Sequence, residues 1–468
     1  MPIWLEAVVI LMFILLFARA VKRGTSLLQR YFIPSSLVAG FGALLLSHQL
    51  LGWIPAEISA EWGAYPKVLI NVVFAGLFLG HVIPGPKEIW EKSAPMLAFG
   101  NTLAWGQYVI GILLTMFLLG PVFGAPPMTG ALIEVGFEGG HGTAAGLAPT
   151  FDMLGWSEAT DIALGLATVS IITAIFSGIV IINMHQRRHG GMHDEAATRA
   201  QQQRMVRNGY NLTKFASKLE TNPREIIITI ILFTASIGIG WLILQGFVIA
   251  EEALLAGFTD LRFFKFLPLF PLAMIGGLIV QLILVKLKQP YLVKRNTIKV
   301  IAAIALDLLI ASAIATLSLT AIRDNFAIFI ILTLAGIVWI LGAFFFLAPK
   351  FFHKNWFENG ITNTGQSMGM TATGLLMNRL ADPSNHTHAR ESFAYKQLAF
   401  EPFMGGGIVT AAAAIMLTEF GQLPVLIGVS IIFSFWVWLG FKLGKNPHLW
   451  SHRTKISRLL GQIAAKRF

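Results

Sequence analysis

The sequence predicts an all-α, polytopic membrane protein made of two inverted repeats and one additional C-terminal transmembrane helix. Of its 468 residues, 55% are hydrophobic and only 13% are charged, whereas about a quarter of the residues in a soluble domain are charged. Apolar stretches of about 20 residues, the length that crosses a bilayer, recur along the chain. Two glycine-rich polar segments interrupt this pattern, one in each half, at 134–150 and 360–378.

Eleven apolar stretches are expected to form the spans. The first has its basic residues on its C-terminal side, which is the reverse of a secretory signal peptide, so we expect it to remain as a span with its N-terminus outside. The expected spans are 3–20, 33–51, 67–83, 94–121, 158–183, 225–247, 266–287, 299–319, 326–347, 398–417 and 425–443.

The basic residues predict the orientation of these spans. With the N-terminus outside, all of the 35 Lys and Arg except Lys67, Arg262, Lys265 and Arg323 fall on the cytoplasmic side. Cytoplasmic loops carry an excess of positive charge, so the C-terminus is expected inside. The same distribution accounts for the net charge of +11 without a nucleic-acid partner.

The segment 134–150, here called the first hairpin, is unsuited to an ordinary spanning helix. It contains five glycines and a proline, and each of them weakens a helix by about 1 kcal/mol or more. Glu134, Glu138 and His141 would be costly against lipid and must face protein or water. Irregular backbone at membrane depth persists only where it is buried in protein or lines a cavity. We therefore expect a re-entrant hairpin whose turn helps to form a binding site.

The segment 360–378, here called the second hairpin, echoes the first. Thr-Ala-Ala-Gly-Leu at 143–147 aligns with Thr-Ala-Thr-Gly-Leu at 371–375. Each half then has five spans and one hairpin, and because five is odd the second half is inverted. Inverted repeats with broken elements at corresponding positions are typical of secondary transporters. The expected divisions are a first repeat at 1–184, a cytoplasmic linker at 185–223 that is either a tether or a regulatory docking segment, a second repeat at 224–418, and an extra helix with a basic tail at 419–468.

Both hairpins carry motifs of one family. Gly-Gly-His-Gly-Thr-Ala-Ala at 139–145 resembles the signature of the bacterial sodium/glutamate symporters, and Gly-Met-Thr-Ala-Thr at 369–373 resembles that family's second loop, Gly-x-Thr-Pro-Thr. The sequence departs from the family pattern at Ala372, where Pro is usual, and at Gly374, where Ala is usual. The resemblance implies sodium-coupled uptake of glutamate or a related anionic amino acid, an elevator-like movement of the hairpin domain, a homodimer, and location in the bacterial inner membrane.

An anionic substrate is expected to bind at the hairpin turns. Broken helices expose backbone N–H groups at their N-termini, where about half a positive charge resides. No Lys or Arg is expected within a span to replace that charge, and His141 is the only candidate cation near the first turn, although it could equally be a neutral packing residue. The candidate substrate-binding residues are Gly139, Gly140, His141, Gly142, Thr143, Gly369, Thr371, Thr373 and Asn378.

Sodium is expected as the transported cation, with no other cofactor. Hard cations bind oxygen ligands, so carboxylates, hydroxyls and amides are candidates. Asp307 lies well inside the eighth expected span, and an intramembrane acid is a functional residue by default. Asp161 and Glu401 lie at span entrances, where solvation at the interface is an equally good explanation. A sodium site is expected from Thr143, Asp307 and Thr371, and the candidates for cation coupling are Asp307, Glu138, Asn363, Gln366, Ser367, Glu401 and Asp161.

Other functions fit parts of the pattern. A proton-coupled or exchange carrier for another small organic acid would use Asp307, His141 and Glu401 as proton carriers. An intramembrane enzyme built around His141, Glu138 and Thr143 has no reason to repeat its site upside down, so the chain is not expected to be an enzyme. A channel would need a continuous pore lining rather than opposed hairpins. The absence of Cys excludes thiolate metal sites.

Overall fold

The computed structural model describes residues 2–30, 33–188, 223–255, 263–289 and 292–449, and these residues are mostly helical. Apart from residues 185–188 and 223, the expected linker lies outside the described residues, as does the tail from residue 450. The helices of the first half are α1 (Ile3–Gly24), α2 (Ser26–Arg30), α3 (Ser35–Leu46), α4 (Ala56–Ala75), α5 (Pro86–Leu114), α6 (Gly120–Phe123), α7 (Leu132–Phe137), α8 (Gly140–Gly146), α9 (Ala148–Met153) and α10 (Glu158–Arg188).

The second half continues the helical pattern. Its helices are α11 (Pro223–Leu255), α12 (Phe263–Phe266), α13 (Phe270–Lys286), α14 (Arg295–Ala315), α15 (Leu319–Asp324), α16 (Phe326–Phe346), α17 (Ala348–Phe351), α18 (Trp356–Ser367), α19 (Thr371–Ala381), α20 (Ala389–Phe400), α21 (Ile408–Glu419) and α22 (Gln422–Lys445).

Seven helices in the described ranges are long and apolar enough to cross a membrane. They are α1, α5 with its continuation through α6, α10, α11, α14, α16 with α17, and α22. Three shorter apolar helices, α3, α13 and α21, overlap three more of the expected spans, and the 20-residue α4 overlaps the remaining one. The chain is therefore a multi-pass membrane protein.

The expected start of the third span, at residue 67, is wrong. Helix α4 begins at Ala56, after the extended residue Pro55. Its polar first half is held by packing rather than by hydropathy, because Trp62 is fully buried and its indole N–H donates to the carbonyl of Ala7 in α1 at 2.9 Å. A hydropathy pattern does not contain this contact.

The expected continuous span at 398–417 is also wrong. Helix α20 ends at Phe400 and α21 begins at Ile408. Gly405 and Gly406 between them have φ values of 66° and 103°, a region that glycine enters at no steric cost and that a helix cannot contain. The second half therefore has a broken element beside its hairpin as well as the hairpin itself.

The helices pack into two bodies. The first, here called the scaffold body, contains α1, α3 and α4 from the first half and α11, α13 and α14 from the second, joined by two apolar clusters. The second, here called the hairpin body, contains α5, both hairpins, α10, α16 and α20 to α22. Corresponding parts of the two halves thus lie in the same body.

The contact between the bodies is largely apolar. A Cβ on Gly146 of α8 would lie 3.0 Å from Ile70 of α4 and 3.1 Å from Phe270 of α13. Gly142 faces Ile70 in the same way at 3.3 Å, and glycines allow such close helix packing in membranes. The hydroxyl of Thr150 adds a polar contact, since it donates to the carbonyl of Phe266 at 2.9 Å.

The loop from α19 to α20 is organised by Asp382. Its carboxylate accepts hydrogen bonds from the backbone N–H groups of His386 and Thr387, at 3.0 and 2.8 Å, and from the Thr387 hydroxyl at 2.6 Å. Burial by itself would raise the pKa of Asp382, but the hydrogen bonds from Thr387 and His386 outweigh it and lower the pKa. This loop fixes the start of α20, which leads into the site described next.

Candidate transport site

The tips of the two hairpins meet inside the hairpin body. In the first hairpin, α7 and α8 are separated at Glu138 and Gly139, and in the second, α18 and α19 are separated at 368–370. Gly140 has φ of 69°, and a Cβ placed on it would lie 3.2 Å from the carbonyl oxygen of Gly369. The two glycine-rich motifs therefore place their backbones against each other, as their positions in the two halves predict.

Thr371 at the second tip binds Glu401. Its hydroxyl donates to Glu401 Oε1 at 2.8 Å and accepts from the amide of Gln397 at 2.7 Å, while Gln397 also donates to Glu401 Oε1 at 2.8 Å. Thr371 is the first residue of α19, so the carboxylate of Glu401 lies near backbone N–H groups that have no partner within that helix.

The glycine-rich break between α20 and α21 packs on the first hairpin. A Cβ on Gly406 would lie 2.5 Å from Thr143 Oγ1 and 2.4 Å from the ring of Phe74. A Cβ on Gly405 would lie 3.4 Å from the carbonyl oxygen of Glu138. The break thus brings a third stretch of irregular backbone to the two tips.

Glu134 joins this break to the first hairpin. Its buried carboxylate accepts from the Tyr108 hydroxyl at 2.7 Å, from the Gly405 N–H at 3.1 Å and from the Thr410 hydroxyl at 2.8 Å. Three donors compensate a buried carboxylate for its lost water. Glu134 therefore holds α5, α7 and α21 together behind the tips.

Glu138 joins the first hairpin to the second through a buried relay. Gln366 donates its amide N–H to Glu138 Oε1 and accepts, at its amide oxygen, from the ammonium of Lys396. Gln107 lies on the other side of Glu138, with Nε2 3.5 Å from Oε2. Lys396 has no exposed surface. Lys396 was expected in a cytoplasmic segment between spans, but it lies in α20, buried beside the two hairpins.

Several buried oxygens around the tips have no hydrogen-bond partner among the described residues. They belong to neutral groups that are ligands of hard cations, and unpartnered buried oxygens are rare in proteins. They include Thr143 Oγ1, Asn363 Oδ1 and Gln107 Oε1, and Asn378 Oδ1 is a further one beyond the tip, later in α19. Ser367 is fully buried on the same helix as Asn363.

His141 is held by α10. Its Nε2 lies 2.9 Å from Thr168 Oγ1, and that hydroxyl donates its hydrogen to the carbonyl of Leu164 at 2.9 Å. Nε2 must therefore carry a hydrogen and donate to Thr168, and the buried Nδ1 is left without a partner. A neutral His141 thus presents a free acceptor rather than a positive charge.

Four predicted site residues have other surroundings. Asp307 pairs with Arg19 at 2.9 Å, within the scaffold body, and so the structure does not join it to Thr143 and Thr371. Asp161 accepts from the N–H of Ser318 at 2.7 Å, ahead of α15. Gly142 contacts α4 rather than the second tip. Asn378 donates to Thr362 on the opposite leg of its hairpin at 3.1 Å.

The remaining members of the predicted set lie in or beside the tip cluster. Gly139 contacts Thr143, since a Cβ on Gly139 would lie 2.8 Å from Thr143 Cβ. Gly369 contacts Thr373, since a Cβ on Gly369 would lie 2.8 Å from Thr373 Oγ1. Gly374 departs from the family pattern for a visible reason, because a Cβ there would lie 2.7 Å from the carbonyl oxygen of Thr362.

Sequence reasoning missed Tyr108, Gln107, Thr410 and Lys396 as members of the cluster. The first two lie on α5 and are polar side chains within an otherwise apolar span, which is a signal that could have been used. Lys396 had a signal as well, since it lies only a few residues before the glycine-rich break. Thr410 had none, because its position became significant only with the contact to Glu134.

Broken helices that meet tip to tip inside a multi-pass protein, with buried acids and free oxygens around them, define a secondary transporter. The comparisons with known proteins identify its kind. The sequence profile described as "Sodium/glutamate symporter" matches residues 4–379, and the chain belongs to this family. It is therefore a sodium-coupled transporter and not a member of an enzyme family. No curated protein sequence gives a significant match to the chain.

Proposed function

We propose that the protein couples the inward movement of sodium to that of glutamate or a related anionic amino acid, at the junction of the two hairpin tips. The observation that carries this proposal is the meeting of Gly140 and Gly369 beside Thr371 and the free oxygens of Thr143 and Asn363. In this proposal the hydroxyl and amide oxygens hold sodium, and the backbone N–H groups at the start of α19 bind the substrate carboxylate.

The proposed transport cycle is a movement of the hairpin body against the scaffold body. The composition of the two bodies supports this movement, because each body contains the corresponding spans of both halves. Two inverted repeats, each of five spans and one hairpin, would be divided between two bodies in this way. The interface favours sliding, because apolar contacts are non-directional and Gly142 and Gly146 present little side chain to Ile70. The site would then be carried across the membrane with both hairpins around it.

Uptake of radiolabelled glutamate into proteoliposomes tests the substrate and the ion together. With sodium outside and potassium inside, we expect accumulation that disappears when external sodium is replaced by choline. Protein-free liposomes and a sodium ionophore are the controls. Sodium-driven uptake of another small acid, with none of glutamate, would leave the symport proposal standing and replace its substrate.

A proton-coupled or exchange carrier for a small organic acid is the alternative. The free Nδ1 of buried His141 favours it, since this atom could accept a proton. Uptake driven by an inward proton gradient in sodium-free liposomes would support it against sodium coupling. The family resemblance further suggests a homodimer in the bacterial inner membrane, which native mass spectrometry of the purified protein would test.

A further inference from the structure

Lys396 is a cation of the tip cluster that the proposed mechanism does not use. Its ammonium donates to Gln366, lies 3.4 Å from the centre of the Phe400 ring, and has no exposed surface. A buried ammonium without compensation is very costly. Here it is compensated by an amide oxygen, by the face of an aromatic ring, and through Gln366 by the carboxylate of Glu138.

The helix packing is shaped around this ammonium. Gly100 of α5 lies against it, and a Cβ at that position would be 2.4 Å from Lys396 Cε and 2.9 Å from Nζ. The same Cβ would be 3.1 Å from Asn363 Oδ1, the buried amide oxygen that has no hydrogen-bond partner. The ammonium thus occupies a space bordered by the amide oxygen of Gln366 and close to the unpartnered Asn363 Oδ1, which are oxygen ligands of the kind that a metal cation would take.

The acidic side chains of the cluster attract cations. Among the described residues, Glu134, Glu138 and Glu401 lie around the tips with the ammonium of Lys396 among them, and the guanidinium of Arg295 lies within electrostatic reach of Glu401. An anionic substrate would gain little from this ammonium, because it is already engaged with the relay to Glu138. A cation, by contrast, would be attracted to the same oxygens if the ammonium were removed.

We propose that the ammonium of Lys396 is a tethered cation that fills a sodium position beside Glu138, so that this protein carries one sodium ion fewer than its cluster could hold. The consequence for transport rests on the proposed sodium symport, whereas the cation position beside Glu138 does not. Lys396 lies beyond the residues matched by the family profile, which end at 379, so the assignment comes from this structure and not from the family.

Direct binding of radioactive sodium to the purified protein, without substrate, tests the proposal. The variant Lys396→Met keeps an unbranched side chain and removes the terminal ammonium, and we expect it to bind about one additional sodium ion per protein, with thermal stabilisation by sodium that grows accordingly. Lys354→Met, which changes an exposed lysine, is the matched control and should bind as the unmodified protein does. The double variant Lys396→Met/Glu138→Gln should lose the additional ion.

Folding of the variant is part of the test. If Lys396→Met unfolds in N-methylglucamine chloride but folds in sodium chloride of equal ionic strength, sodium replaces the ammonium and the proposal holds. A folded variant with unchanged sodium binding overturns it, and so does a variant that fails to fold in both salts. Wild-type protein that takes up no substrate with sodium would contradict the proposed symport, whereas the binding experiment would still decide the role of Lys396.

Discussion

Two acids four residues apart on the first hairpin show how individual side chains set the function of the site. Glu134 accepts hydrogen bonds from Tyr108, Thr410 and the backbone of Gly405, whereas two amides donate to Glu138 beside the hydroxyl of Ser367. The first set of partners is fixed by helices of one body, so Glu134 is suited to hold the break in place. One donor of the second set, Gln366, belongs to the second hairpin. The surroundings of Glu138 therefore depend on the position and charge of that hairpin.

Loss of the Tyr108 hydroxyl should destabilise the protein. Tyr108→Phe removes a donor to a buried carboxylate, and such hydrogen bonds contribute about 1.5–3 kcal/mol, so we expect the free energy of unfolding in detergent to fall by about that amount. Tyr65→Phe is the matched control, because its hydroxyl binds the carbonyl of Trp4 in an exposed position at 3.1 Å. Equal losses in the two variants would show that Glu134 does not depend on Tyr108.

Removal of either tip hydroxyl should lower sodium-dependent uptake. Thr371→Val leaves Glu401 with one donor fewer, and Thr143→Val removes a buried oxygen that has no partner of its own. We expect uptake in proteoliposomes to fall at least tenfold in both, with a higher sodium requirement in Thr143→Val. Thr418→Val, whose hydroxyl binds the Ala414 carbonyl of its own helix, serves as the control. Loss of uptake in only one of the two variants would contradict a site shared by both hairpins.

At the scale of elements, the site is built from three breaks in helices rather than from two. Both hairpins interrupt a span with glycine, and the third break, at 401–407, places Gly405 and Gly406 against Glu138 and Thr143. Each break leaves helix ends whose backbone groups lack intrahelical partners. Concentrating these ends at one place adds free backbone donors and acceptors to the charged side chains around the tips.

Alanine at the third break should disturb the site more than alanine at a comparable glycine elsewhere. Gly406→Ala strains a residue with φ of 103° and drives a Cβ into Phe74 and Thr143, so we expect backbone strain of about 1–3 kcal/mol and overpacking of about 1–3 kcal/mol. Gly421→Ala, with φ of 82° and open space around it, should show the strain alone. Thermal unfolding in detergent measures the difference, and equal losses would mean that the break does not press on the first hairpin.

The sequence predicts these elements to different extents. Gly140 and Gly369 could be identified as site residues from the sequence, because a segment rich in glycines and acids within an apolar chain most readily indicates a binding site. The break at Gly405 and Gly406 could be seen as a glycine cluster but not as a break, because close helix packing explains such a cluster equally well. The pairing of Asp307 with Arg19 could not be predicted at all, since it depends on how α1 lies against α14. Hydropathy indicates which segments lie in the membrane, whereas contacts between helices determine which acids belong to the site.

At the scale of the whole molecule, the two halves are interleaved rather than placed side by side. The first three spans of each half form the scaffold body, and the hairpins with their neighbouring spans form the hairpin body. Both hairpins therefore belong to one body, and the proposed movement would carry them together with the site. The scaffold body places Ile70, Phe74 and Phe270 against the hairpin body. In the proposed movement, the hairpin body would slide over this surface.

A disulfide across this surface should stop transport reversibly. The Gly146 Cβ position is 3.0 Å from Ile70 Cγ1, which puts the two Cβ atoms within about 4.5 Å of each other, close to disulfide geometry. Because the chain has no Cys of its own, the variant Ile70→Cys/Gly146→Cys forms no other pair within the protein. If the hairpin body moves against the scaffold body, oxidation should abolish sodium-driven uptake and reduction should restore it. The single-cysteine variants, treated in the same way, control for the substitutions themselves. Undiminished uptake by the fully oxidised double variant would mean that substrate crosses while α8 stays against α4, and transport would then have to occur by local opening of the hairpins.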